Sequence, residues 1–140
     1  MPEGCGLAVL RGHPAEPNAD VFFRLPAGTT APRHWHASAE RMVLITGELD
    51  IGYDDQDPVV MELGTYAYGP SELPHDASCV SDDDCILFIA FEEPVDAIPV
   101  ANPLLETDEA RADRRPAPQG GPMRMPVVIK RSCARSPRTG

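Results

Sequence analysis

Gly28-Thr29-Thr30-Ala31-Pro32-Arg33-His34-Trp35-His36-Ala37-Ser38-Ala39-Glu40, followed by Gly47, is the passage on which the fold turns. Successive side chains of a strand point to opposite faces, so His34 and His36 share a face, and Glu40, four residues further on, is placed to join them. Two imidazoles and a carboxylate are donors suited to a divalent metal ion. A third imidazole, His75, follows a bend punctuated by Gly69-Pro70 and Leu73-Pro74, and closure of a barrel would bring it across to the others. Trp35 lies between two ligand candidates and so faces the other way, where it should pack between sheets or at an interface.

Upstream of this passage, Leu7 to Leu10 and Val21 to Leu25 read as strands forming the first edge of a sheet, joined by a polar connection rich in turn residues. Gly28 to Pro32 reads as a turn. Downstream, Arg41 to Ile45 and Glu48 to Tyr53 are apolar runs parted at Thr46-Gly47, which predicts a meander. The acidic loop Asp54-Asp55-Gln56-Asp57-Pro58 leads into Val59 to Leu63, predicting a hairpin. Tyr66 to Tyr68 is the next strand. Ala77 to Val80 and Ile86 to Phe91 flank the turn Ser81-Asp82-Asp83-Asp84. The result is eight to ten short strands and an all-β class.

The composition agrees. A chain of 140 residues with 42% apolar content supports one core, and Pro and Gly fall between β-branched and aromatic runs. The net charge of −10 conceals a division: residues 1–109 hold 21 acids against 4 bases, and residues 110–140 hold 1 acid against 8 bases. An acidic body is not what a nucleic-acid partner selects, since phosphate contacts need clustered Lys and Arg. The pattern fails from about Asn102. Residues 1–105 are therefore expected to be the domain and 106–140 a basic, Pro- and Arg-rich, largely irregular tail. Within the tail, Glu106 to Arg114 has the makings of a helical turn or two, and Met125 to Lys130 those of an edge strand. No stretch is long and apolar enough for a membrane helix, and Met1 to Arg11 lacks the features of a secretory signal, so a cytoplasmic location is expected.

The four cysteines, Cys5, Cys79, Cys85 and Cys133, show no CxxC spacing, and in a reducing compartment free thiols are expected. Cys79 and Cys85 could bridge across a hairpin only in an oxidising setting. Cys79 shares the parity of His75, so a pocket-lining role is expected for it. Met42, Leu44, Tyr66, Tyr68 and Phe91 are candidate pocket walls. His13, among Gly and Pro, is not expected to be a ligand, and the acidic runs at 54–55 and 82–84 lack calcium-loop spacing and read as solvated turns.

The spacing of these residues resembles the cupin superfamily. That family's first motif is Gly, five residues, His-x-His, three or four residues, Glu, six residues, Gly, and Gly28, His34, His36, Glu40 and Gly47 match it throughout. Its second motif is Gly, five residues, Pro-x-Gly, two residues, His, three residues, Asn. Gly64, Pro70 and His75 match it, while Glu72 replaces the glycine and Cys79 the asparagine. Over about residues 7–100 the chain is also similar to a group of short bacterial cupins without a secure shared activity. The resemblance implies a cupin-type jelly-roll β-barrel and one divalent ion held by His34, His36, Glu40 and His75. It also implies a homodimer, which would cover the edge strands.

Three nitrogens and a carboxylate oxygen suit iron, manganese, nickel or zinc, and in an octahedral shell they leave two adjacent positions for substrate or dioxygen. The first expectation is a metal-dependent enzyme acting on a small organic molecule, of dioxygenase type, in which Glu40 could also serve as a base. The alternatives are a non-catalytic sensor or binding module, whose basic tail reaches a partner, and a metal-dependent isomerase or lyase.

Overall fold

The computed structural model describes residues 2–101 and 128–130. These form eleven strands and no helix: β1 (Gly6–Arg11), β2 (Asp20–Leu25), β3 (Thr30–Trp35), β4 (Glu40–Thr46), β5 (Leu49–Tyr53), β6 (Val59–Met61), β7 (Tyr66–Gly69), β8 (His75–Cys79), β9 (Cys85–Phe91), β10 (Ile98–Pro99) and β11 (Val128–Lys130). With no helix among the described residues, none is long and apolar enough to cross a membrane. The strands make two antiparallel sheets, one ordered β1-β2-β9-β4-β7-β11 and the other β10-β3-β8-β5-β6. This is the jelly-roll arrangement that the sequence leads one to expect.

Period-two alternation builds the core between the sheets. In β9, Cys85, Leu87, Ile89 and Phe91 are buried while Ile86, Phe88 and Ala90 are half-exposed, and in β5 the buried set is Leu49, Ile51 and Tyr53. Val21, Leu25, Leu44 and Met61 complete the fully enclosed centre. Burial of such side chains contributes about 1.5–3 kcal/mol each, so the inward rows hold the two sheets together.

The structure corrects several expectations. The turn over Gly28 to Pro32 ends early, and Thr30 to Trp35 is strand β3. Its register on β8 shifts between Ala31↔Ala77 and His34↔His75, so one extra residue on β3 forms a bulge at Pro32 and Arg33. A bulge is where a strand accommodates proline, which cannot donate to the ladder. The meander predicted for β4 and β5 does not form: β4 pairs with β7 and β9, and β5 with β8 and, as expected, β6. Gly47 (φ 80°) turns the chain from one sheet to the other, and a Cβ there would lie 2.8 Å from Cys85 Sγ and Ser81 Oγ. The turn at 81–84 is likewise a corner between sheets, and Cys79 and Cys85 are bridged across it, with Cα atoms 5.7 Å apart, where free thiols were expected. Close approach of two buried ends, which local spacing does not report, brings the sulfurs together.

Val128–Lys130 adds an edge strand to β7, as Met125 to Lys130 suggested. The helical turn expected over Glu106 to Arg114 and most of the basic tail lie outside the described residues.

Candidate metal centre

The bulge in β3 leaves His34 opposite His75, the first residue of β8. His36 stands just past the end of β3, and residues 36–39 carry the chain across to the other sheet, where Glu40 opens β4. Ser38 fixes this crossing: its buried Oγ donates to the Ala39 carbonyl at 2.7 Å and accepts from the Glu92 and Glu93 N–H groups at 2.8 and 3.0 Å. The His36 carbonyl accepts from Glu72 N–H at 2.8 Å, so the two sequence motifs are tied by backbone.

The imidazoles of His34, His36 and His75 form a cluster whose ligating atoms lie within 4.8 Å of one another. The ring centroids of His34 and His75 are 4.4 Å apart, and those of His36 and His75 5.2 Å. Glu40 lies beside two of the three, with Oε1 3.4 Å from His36 Nε2 and Oε2 3.8 Å from His75 Nε2, though the close cluster itself is the three imidazoles. The structure thus brings all four residues singled out by the motifs to one place.

Each imidazole is oriented by a backbone carbonyl. His34 Nδ1 donates to Pro32 O at 2.8 Å, His75 Nδ1 to Leu73 O at 3.2 Å, and His36 Nδ1 to Asp96 O. This pattern assigns the Nδ1–H tautomer and leaves each Nε2 lone pair for a ligand, as in sites where outer hydrogen bonds orient metal-binding histidines.

Burial sets the charges. It pushes His36 down to about 4, against the pull of its hydrogen bond to Asp96, and His75 down to about 3, with His34 adding to the depression. Glu40 is pushed up to about 8, by burial first and by the Asp96 charge second. A carboxyl enclosed beside neutral imidazoles must keep its proton or gain a cation. A divalent ion among these donors would satisfy it, and the donor set matches those of first-row metal sites, so the residues fit the group.

Three contributors carry no sequence signal. Asp96, after Pro94, receives His36 at its carbonyl and accepts Ala37 N–H at its carboxylate, Oδ1 at 3.0 Å and Oδ2 at 3.3 Å. Tyr53 is the register partner of His75 and lies against its ring, centroids 4.7 Å apart, and its buried hydroxyl has no hydrogen-bond partner among the described residues. Gly69, paired with Glu40, gives that hydroxyl room: a Cβ there would stand 2.5 Å from Tyr53 Oη and 3.3 Å from Glu40 Oε2. Spacing along the chain cannot reveal residues recruited from other strands and loops.

Beside the cluster the barrel holds a cavity of about 410 Å³ that is partly open to solvent. Of the expected walls, Met42 and Phe91 line it; Leu44 is enclosed in the core, and Tyr66 and Tyr68 lie on the other face of β7 from the buried Ala67 and Gly69. Ala77, not Cys79, lines the cavity from β8, because Cys79 is drawn into its bridge with Cys85. Trp35 is half-buried, and its backbone pairs with Ile98. His13 is exposed and accepts Ala15 N–H at 3.2 Å, apart from the cluster.

Comparison with solved structures returns the same architecture. The DMSP lyase DddQ of Ruegeria pomeroyi superposes with a TM-score of 0.61 at 19% identity, over 68% of this chain and 51% of that one. An RmlC-like cupin protein of Methanocaldococcus jannaschii with a double-stranded β-helix fold gives 0.56 at 20% identity, over 66% and 84%. Bacillus subtilis oxalate decarboxylase, a protein with Mn(II) centres, gives 0.60 at 23% identity, over 76% and 30%. The chain spans about half the length of the lyase, and likeness at these identities concerns the fold. No curated protein matches the sequence. A family model described as the ChrR cupin-like domain matches residues 1–94.

Proposed function

Because the chain belongs to the ChrR cupin-like family, we propose that it is a metal-dependent enzyme acting on a small organic molecule, with one divalent ion held by His34, His36, Glu40 and His75. The observation that carries this reading is the convergence of three oriented imidazoles and a buried carboxyl on the wall of an apolar cavity. The finer reading is a dioxygenase-type oxidoreductase. When bound, an ion would supply Lewis acidity or, if iron, redox chemistry toward dioxygen. The chain's own residues supply the rest. His36 and His75 are kept neutral and able to donate lone pairs, and Glu40 serves as a ligand that, on loosening from the ion, can also act as a base.

The first test is the metal content of protein purified without an affinity tag. About one equivalent of iron, manganese, nickel or zinc is expected, lost in His34→Ala and His75→Ala. Absence of metal even after reconstitution would overturn the reading. Oxygen uptake with candidate diols and enols then tests the finer assignment. The lyase and the decarboxylase among the structural neighbours point to a second reading, a metal-dependent isomerase or lyase, in which product forms without oxygen consumption. A loaded protein with neither activity would be a binding module.

Three further expectations belong to this proposal. The cupin β-barrel domain spans residues 1–105. The protein is a homodimer through the outer edge of β1, where Val9 and Leu10 are 44% and 50% exposed, and a monomer by light scattering would remove that element. It acts in the cytoplasm, and recovery of the protein outside the cytoplasmic fraction of lysed cells would count against that location.

A further inference from the structure

We propose that the cavity beside the histidine cluster selects a ligand with an extended apolar body and a singly charged, bidentate head group, and that it rejects small dianions. The head-group part rests on the metal reading above; the body part rests on the cavity alone.

The volume of about 410 Å³ lies within the range of sites for small organic molecules. Its long wall follows β9 from Phe91, whose ring lies 5.9 Å from that of His36, through Ile89 to Leu87. The four residue steps from Phe91 to Leu87 span about 13 Å, enough for an extended chain of roughly eight carbons. Across the barrel, Ile51 and Leu49 of β5 also face the cavity. Ala31 and Ala77 are register partners on adjacent strands, and both line it. Two facing alanines leave open a space that larger aliphatic side chains would fill in a solid core.

Charge narrows the head group. Among the described residues, the charged side chains lining the cavity, other than the histidines, are Glu40, Asp96 and Arg33, and the Arg33 guanidinium is paired with Asp54. A divalent ion with Glu40 ionised leaves one net positive charge, which a monoanionic head group balances. A dicarboxylate would bring a second negative charge toward Asp96, and the Arg33 guanidinium is already engaged by Asp54. Oxalate, the substrate in the name of one structural neighbour, is therefore a poor fit to this lining.

The test uses the full chain loaded with zinc and titrated calorimetrically with octanohydroxamate, acetohydroxamate and oxalate. Octanohydroxamate should bind at least about 100-fold more tightly than acetohydroxamate, because each buried methylene adds several-fold, and oxalate should bind most weakly. Ala77→Leu, which narrows the cavity, should reduce octanohydroxamate binding about 10-fold with zinc content and acetohydroxamate binding retained. Equal affinities for the two hydroxamates, or tighter binding of oxalate, would overturn the inference while leaving the metal site standing. If Ala77→Leu does not fold, the wild-type ratio decides. If zinc does not bind at all, 1-octanol added to the metal-free protein decides instead. Shifted methyl resonances of Met42, Ile51 and Ile89 would support the apolar cavity without the metal reading, and unshifted ones would overturn both.

Discussion

Gly69 shows how one missing side chain shapes this site. It pairs with Glu40, and the Tyr53 hydroxyl from the other sheet lies directly against it, in the space a Cβ would need. Gly69→Ala should destabilise the fold by about 2 kcal/mol, the usual scale for an overpacked core atom, as read from urea denaturation. The nearest clash is with Tyr53 Oη, so Tyr53→Phe in the Gly69→Ala background should recover part of the loss. An unchanged urea midpoint in Gly69→Ala would mean that the sheets separate easily at this point. His34, His36 and Glu40 are legible in the sequence because they sit within seven residues of one another. Tyr53, Gly69 and Asp96 are not, because each enters from a different segment and none belongs to a spaced motif.

Among the elements, the corner between β8 and β9 carries the most local constraint. It replaces the predicted hairpin, and the Cys79–Cys85 bridge closes a loop with a sequence separation of 6. Loop-closure entropy for so short a loop is worth about 2 kcal/mol. Cys79→Ser with Cys85→Ser should therefore lower the urea midpoint of oxidised protein by an equivalent amount and leave fully reduced protein nearly unchanged. Equal losses in both redox states would show that the sulfurs matter by packing alone. The turn before β8 shows a related local effect. Glu72 has φ 59°, left-handed backbone in which glycine is at ease, and it occupies the place where the second motif has glycine. The substitution is visible in sequence; that the turn keeps its left-handed geometry is visible only in the fold.

At the scale of the whole molecule, the site's charges make stability depend on pH and on metal together. In the metal-free protein, Glu40 at about 8 holds a proton that the unfolded chain releases above its ordinary value of 4.5, so stability falls as pH rises toward 8. His36 at about 4 and His75 at about 3 refuse protons that the unfolded chain takes up below 6.5, so stability also falls as pH drops through that range. These three groups together place the optimum of the chelated protein near about pH 6.5. A divalent ion binding an ionised Glu40 should remove the decline toward pH 8 and raise the melting temperature there, a comparison that calorimetry with and without chelator makes directly. Identical profiles in the two conditions would count against Glu40 as a ligand.

The sequence by itself determined the all-β class, the places of most strands and the histidine and carboxylate donors. These depend on period-two alternation and short-range spacing, which backbone geometry imposes residue by residue. Which strand joins which sheet, the bulge that admits Pro32, the bridged corner and the recruitment of Tyr53, Gly69 and Asp96 were decided only by the tertiary structure. Strand partners and cavity walls come from segments far apart in the chain, and their choice follows from burying two sheets against each other, a cooperative demand that no local pattern encodes.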